Sequence, residues 1–128
     1  MMGYIPTNPN PNNNYTGDCV IRAISIAENK EWDDVYVELM VKGFAMKDMI
    51  ESNELWNSYL HGLGYSRYII PDSCPDCYTV REFAEDHPHG TYILGTGSHV
   101  ICVIDGDYYD TWDSGHKVPI YFWMKKEG

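Results

Sequence analysis

The period of the hydrophobic pattern changes part-way along this chain, and that change limits the folds open to it. Val20, Ala23, Ile24 and Ala27 share one helical face, so the spacing predicts a helix from about Cys19 to Glu28, with Asn29 and Lys30 as its exit. Asp18 is placed as its N-cap. A second stripe starts near Trp32 and runs through Val35, Leu39 and Met46, with Asp33 and Asp34 suited to its first turn. Gly43 is expected to end or bend that helix. Ser52-Asn53-Glu54 opens a third, carrying Leu55, Trp56, Tyr59 and Leu60 and stopped by Gly62 or Gly64. Thr79 and Glu82 have capping-box spacing and predict a short helix through Glu85. From Thr91 onward, residues 91–94, 100–104, 107–112 and 118–124 form β-branched or aromatic runs parted by Gly-rich and Asp-Gly turns, the mark of antiparallel strands. Tyr68-Ile69-Ile70 is a further short strand. Helices first and antiparallel strands second predict an α+β fold, with N-terminal helices packed on a C-terminal antiparallel sheet. Residues 1–16 hold three prolines and five asparagines without a period and read as an extended arm.

A length of 128 residues suits one domain with a core of its own. Nineteen acidic side chains against nine basic ones leave a formal charge of −10. So acidic a surface repels nucleic-acid phosphates and anionic membranes, so neither is an expected partner. It serves solubility, or steers a basic substrate. No apolar run reaches the roughly 20 residues of a membrane span. The Asn- and Pro-rich start lacks the basic and apolar order of a secretory signal, and the expected location is the cytoplasm. Cysteines at 19, 74, 77 and 102 do not have the spacing of a small secreted disulfide scaffold. Cys102, between Ile101 and Val103, reads as core, and so do Met40, Met46 and Met49 at helical spacing.

Three residues line up for thiol chemistry. Cys19 opens a helix, where free N–H groups and a partial positive charge favour a thiolate and a developing oxyanion. Asp18 beside it works in the opposite sense unless its charge is offset. His99 opens a late strand and supplies a base. The strand returning from it carries Asp110 and Asp113, either of which would orient the imidazole. A two-residue turn at Asp105-Gly106 puts Asp110 on the His99 face; a three-residue loop pairs His99 with Asp113.

The segments GDCVIRAIS and GSHVICVIDGDYYDTWDSG resemble the nucleophile helix and the His-strand–turn–Asp-strand of bacterial and phage members of the papain-like cysteine peptidase superfamily. The resemblance covers the first thirty and last forty residues or so and not the middle. It implies a papain-like fold and thiol attack on an acyl group, as in proteolysis, deamidation, isopeptide cleavage or acyl transfer, with a peptide or protein substrate and no cofactor. The spacing common in that superfamily favours Asp113 as the orienting residue. It also places an Asn or Gln shortly before the Cys as a second oxyanion donor, a position filled here by Asn14 or Asn13.

Two other readings stand beside this one. The fold is also suited to a non-catalytic binding module of a phage or mobile element. Cys74-Pro75-Asp76-Cys77, followed by His87 and His89, offers four ligands to zinc and would make a zinc-stabilised interaction domain, although the spacing is not that of a familiar finger. The plainer reading of the Cys pair is a tight turn.

Overall fold

The computed structural model describes residues 3–14, 16–50, 52–70 and 78–125. The elements follow in the order β1 (Tyr4–Pro6), α1 (Cys19–Glu28), α2 (Trp32–Met46), α3 (Asn53–Gly62), β2 (Tyr65–Ile69), α4 (Val80–Asp86), β3 (Thr91–Gly95), β4 (Val100–Ile104), β5 (Asp107–Asp110) and β6 (Tyr121–Lys125). The strands form one sheet in the order β1-β5-β4-β3-β6-β2. Among the described residues only the β1–β5 pairing is parallel; the others are antiparallel. The fold is α+β.

Strand alternation divides the core between the two faces of the sheet. Ile93, Cys102 and Trp123 pack with Ile21, Ile24, Val35, Leu39, Leu55, Trp56 and Leu60 of α1–α3. On the other face Tyr92, Leu94, Ile101, Val103 and Tyr108 pack with Val80, Phe83 and Ala84 of α4. β3 and β4 are buried on both sides, which explains their unbroken apolar runs.

α1 spans its expected range and ends with Asn29 in the left-handed conformation. Thr79 and Glu82 form the expected capping box of α4. Several expectations need correction. The arm is not wholly irregular, because Tyr4–Pro6 pairs with Tyr108–Asp110. β2 starts at Tyr65, earlier than its apolar end suggests, because it follows Gly64 directly and pairs residue by residue with β6. α2 continues through Gly43, where a Cβ would stand 2.8 Å from the Asp48 carbonyl oxygen; this glycine permits a close approach and is not a helix stop. Met40, Met46 and Met49 are exposed and not core. Met40 and Met46 belong to α2 and Met49 follows it, whereas Val35 and Leu39 of the same helix are fully buried. No described helix is long and apolar enough to cross a membrane.

Candidate active site

α1 packs against β4 and β5, and this contact brings two distant parts of the sequence together. Cys19 is the first residue of α1. His99 is the residue just before β4, and Asp110 is the last of β5. The Cys19 thiol and the His99 ring lie side by side in the same clefts, close enough that each shifts the ionisation of the other. His99 Nε2 donates to Asp110 Oδ2 at 2.6 Å, which leaves Nδ1 as the nitrogen that faces the sulfur. Asp110 also accepts from Ser114 Oγ at 2.7 Å and from the Thr111 backbone N–H at 2.8 Å. Its backbone oxygen takes the Thr7 N–H at 2.8 Å. The carboxylate is therefore held by the ring and by the loop that follows, while the arm fixes the backbone that carries it.

The turn decides which aspartate meets the imidazole. Ile104 pairs with Asp107, so the turn holds only Asp105 and Gly106, both at positive φ, as a two-residue hairpin requires. That register puts Asp110 diagonally beside His99 on the same face. The assignment of Asp113 as the orienting residue is corrected accordingly. Asp113 lies beyond the strand, accepts from Tyr108 Oη at 2.6 Å and from the Gly115 N–H at 3.0 Å, and pairs with Arg81 at 3.4 Å.

Electrostatics follow the contacts. Burial opposes ionisation of Cys19, but the contact and charge of His99, a backbone bond from Val100 and the charge of Arg22 outweigh it, and the thiol lies below its ordinary value. Burial also opposes a charged His99; its contacts with Asp110 and Cys19 prevail and push it up to about 9. For Asp110 the burial penalty is overcome by His99, Ser114 and the Thr111 N–H, so its carboxyl lies below the usual range. The raised His99 contributes stability that is complete below about pH 6.5 and is lost as pH rises through its folded value. The lowered Asp110 contributes stability that is lost only as pH falls through its own folded value. With Cys19 replaced by Ala, the thiol does not titrate and its share of the His99 shift is lost, but Asp110 still holds the ring's value up. The urea midpoint is then expected to fall as pH rises above about 6.5, and an added Asp110→Asn should flatten that slope. A slope unchanged by Asp110→Asn would contradict the assignment.

Asp18 does not cap α1 with its side chain, in contrast to the sequence expectation. Its carboxylate is buried and bound instead by the Arg22 guanidinium, with Trp32 Nε1 at 2.9 Å and Asn10 Nδ2 at 3.4 Å on its second oxygen. Arg22 Nη2 also reaches Asp110 Oδ1 at 3.4 Å. The α1 N–H groups are thus not taken up by a side-chain cap.

Two clefts meet at the thiol. One, of about 210 Å³, runs from Cys19 and His99 past Val20, Trp56, Asn53 and Tyr121. The other, of about 290 Å³, is bounded by Thr16, Arg22, Thr111 and Trp112 and shares Gly17, Cys19, Ser98 and His99 with the first. Trp112 is 40% exposed, with its ring 5.0 Å from that of His99; it walls the site and is not core. Asn13 and Asn14 are exposed and line neither cleft. Asn13 sits in a tight turn, donating its N–H to the Asn10 carbonyl, and Asn14 accepts from Asn8 through its backbone oxygen. Their assignment as oxyanion donors is corrected on that ground.

Cys102, the other cysteine among the described residues, belongs to the core and not to the clefts. Cys102 is fully buried, and burial raises its thiol far above the ordinary range. Cys74 and Cys77 lie outside the described residues. Of their suggested zinc partners, His87 points Nδ1 at the Phe83 carbonyl oxygen at 2.7 Å and stacks on the Phe83 ring. His89 is exposed and accepts the Tyr92 hydroxyl on its backbone oxygen. Among the described residues no group of three or more His, Cys, Asp or Glu converges as a metal site would.

A cysteine with a lowered pKa, an imidazole held by a carboxylate, and an open cleft on each side can perform nucleophilic acyl transfer. No family model, curated protein or solved structure matches this chain, and the chemistry of the site is read from these side chains alone.

Proposed function

We propose that the protein is a thiol hydrolase or acyltransferase acting on a peptide-like amide or thioester through Cys19, His99 and Asp110, on a papain-like arrangement of helix and sheet. The observation that supports this reading is the Cys19–His99–Asp110 relay at the mouth of α1, opening on two clefts. The Cys19 thiolate attacks the substrate carbonyl carbon and forms a C–S bond. The backbone N–H of Cys19, at the helix start, takes the oxyanion. As the tetrahedral species collapses, the bond to the leaving group breaks and the leaving group takes the His99 proton. Water or an acceptor amine then attacks the thioester, His99 accepts its proton, the C–S bond breaks, and the thiolate–imidazolium pair is restored. Asp110 holds the ring so that Nδ1 faces the sulfur throughout.

The test is site-resolved alkylation by iodoacetamide across pH, read by mass spectrometry, with Cys19→Ala as the blank. Cys19 should react well below the roughly 8.5 at which a free thiol titrates. If it titrates like an ordinary thiol, the reading fails and the clefts are left to the non-catalytic binding function.

A further inference from the structure

We infer that Arg22, held between Asp18 and Asp110, is a positioning residue of the Cys19 site: it cancels the Asp18 charge beside the nucleophile and clamps the carboxylate that orients His99. The inference rests on the thiol reading above.

The geometry is unusual for a structural ion pair. Asp18 and Arg22 are one helical turn apart, so both lie on the face of α1 that meets the end of β5. Their side chains are 3% and 8% exposed, and that of Asp110 is 2% exposed. One guanidinium therefore serves two buried carboxylates. Nη1 binds Asp18 Oδ1 and Nη2 reaches Asp110 Oδ1 at 3.4 Å, a division that its planar fork permits and an ammonium does not. The second oxygen of each acid is already engaged, by Trp32 and Asn10 on Asp18 and by His99 and Ser114 on Asp110. The charged groups around Arg22 are thus Asp18 on its N-terminal side and Asp110 on β5, with Cys19 and His99 one contact further on.

Consider the site without Arg22. A bare carboxylate adjacent in sequence to Cys19 opposes its ionisation. A second buried carboxylate at Asp110, lacking its cation, tends to protonate or turn toward water, and His99 loses its anchor. With Arg22 in place both effects are offset, and its own charge favours the Cys19 thiolate. The arrangement also explains how an aspartate is tolerated immediately before the nucleophile.

The experiment uses the full chain as wild type, Arg22→Met, Arg22→Lys, Asp18→Asn and the double variant Asp18→Asn/Arg22→Met. Each is measured for its iodoacetamide pH profile at Cys19 and for its urea midpoint. Arg22→Met is expected to move the acid limb of the profile up by about one pH unit and to slow the reaction near pH 6 about tenfold. Adding Asp18→Asn to it should bring the limb at least halfway back, because the uncompensated charge is gone, and Arg22→Lys should fall between wild type and Arg22→Met. A merely structural Arg22 would lower the urea midpoint and leave the limb in place, and that result overturns the inference. So does a double variant no better than Arg22→Met. If Arg22→Met does not fold, Asp18→Asn alone decides: its limb should move down, and an upward shift overturns the proposal. A wild-type profile already like that of a free thiol is a failure of the thiol reading itself, and is recognised before any variant is compared.

Discussion

Replacing His99 with alanine is expected to slow alkylation of Cys19 near pH 6 by about tenfold to a hundredfold. The size of the effect follows from two opposed contributions. A thiol near pKa 8.5 is less than about 1% ionised at that pH, so removing the imidazolium removes most of the reactive form. A thiolate from a less acidic thiol is, however, a better nucleophile once formed, which recovers part of the loss. Burial of Cys19, now unopposed by His99, adds to the deficit. Asp110→Asn should shift the profile in the same direction by less, since the ring keeps its place but loses its charged partner at 2.6 Å. Asp113→Asn should leave the profile unchanged, because its contacts are with Tyr108, Gly115 and Arg81. Superimposable rates for wild type and His99→Ala would remove the base from the mechanism.

The second large effect concerns stability. Trp56 is 1% exposed and packs in the α1–α3 core, with its ring 6.3 Å from that of Tyr121 and Nε1 donating to Asn53 Oδ1 at 3.1 Å. Trp56→Ala is expected to cost about 3–5 kcal/mol in urea unfolding, a large share of the roughly 5–15 kcal/mol that holds a domain together. The same ring lines the cleft beside Cys19, so the cavity opens into that cleft and is not sealed within the core. Trp56→Phe, which keeps most of the volume, should recover much of the loss. A cost near zero for Trp56→Ala would mean that the helices close over the gap.

The parts of this fold legible in the sequence are those where local signals agree. α1 shows itself by period and length, α4 by its capping box, and the β4–β5 hairpin by Asp105-Gly106. Cys19 and His99 stand out because each begins an element. Choosing between Asp110 and Asp113 needed the turn length, and turn chemistry pointed to the residue that the structure brings to His99, whereas family spacing pointed to the other. β1 was not legible because three residues carry too little pattern, and its partner lies more than a hundred positions away. The roles of Asn13 and Asn14 were not legible because asparagine in a loop serves its own turn as readily as a site. The Asp18–Arg22 pair did carry a signal, opposite charges one turn apart flanking the nucleophile. That signal ordinarily marks a solvated helix face, and only the packing of α1 on β5 turns it inward.

The parallel pairing of β1 with β5 and the placing of His99 eighty positions after Cys19 set the timing of maturation. During synthesis α1 leaves the ribosome long before the strands that carry the imidazole and the carboxylate exist, and domains complete as units. The nascent sulfur has neither base nor anchor and behaves as an ordinary thiol. The arrangement of Cys19, His99 and Asp110 is complete only once the β4–β5 hairpin lies between β1 and β3. A chain that stops before residue 99 lacks both His99 and Asp110, so its Cys19 has neither partner.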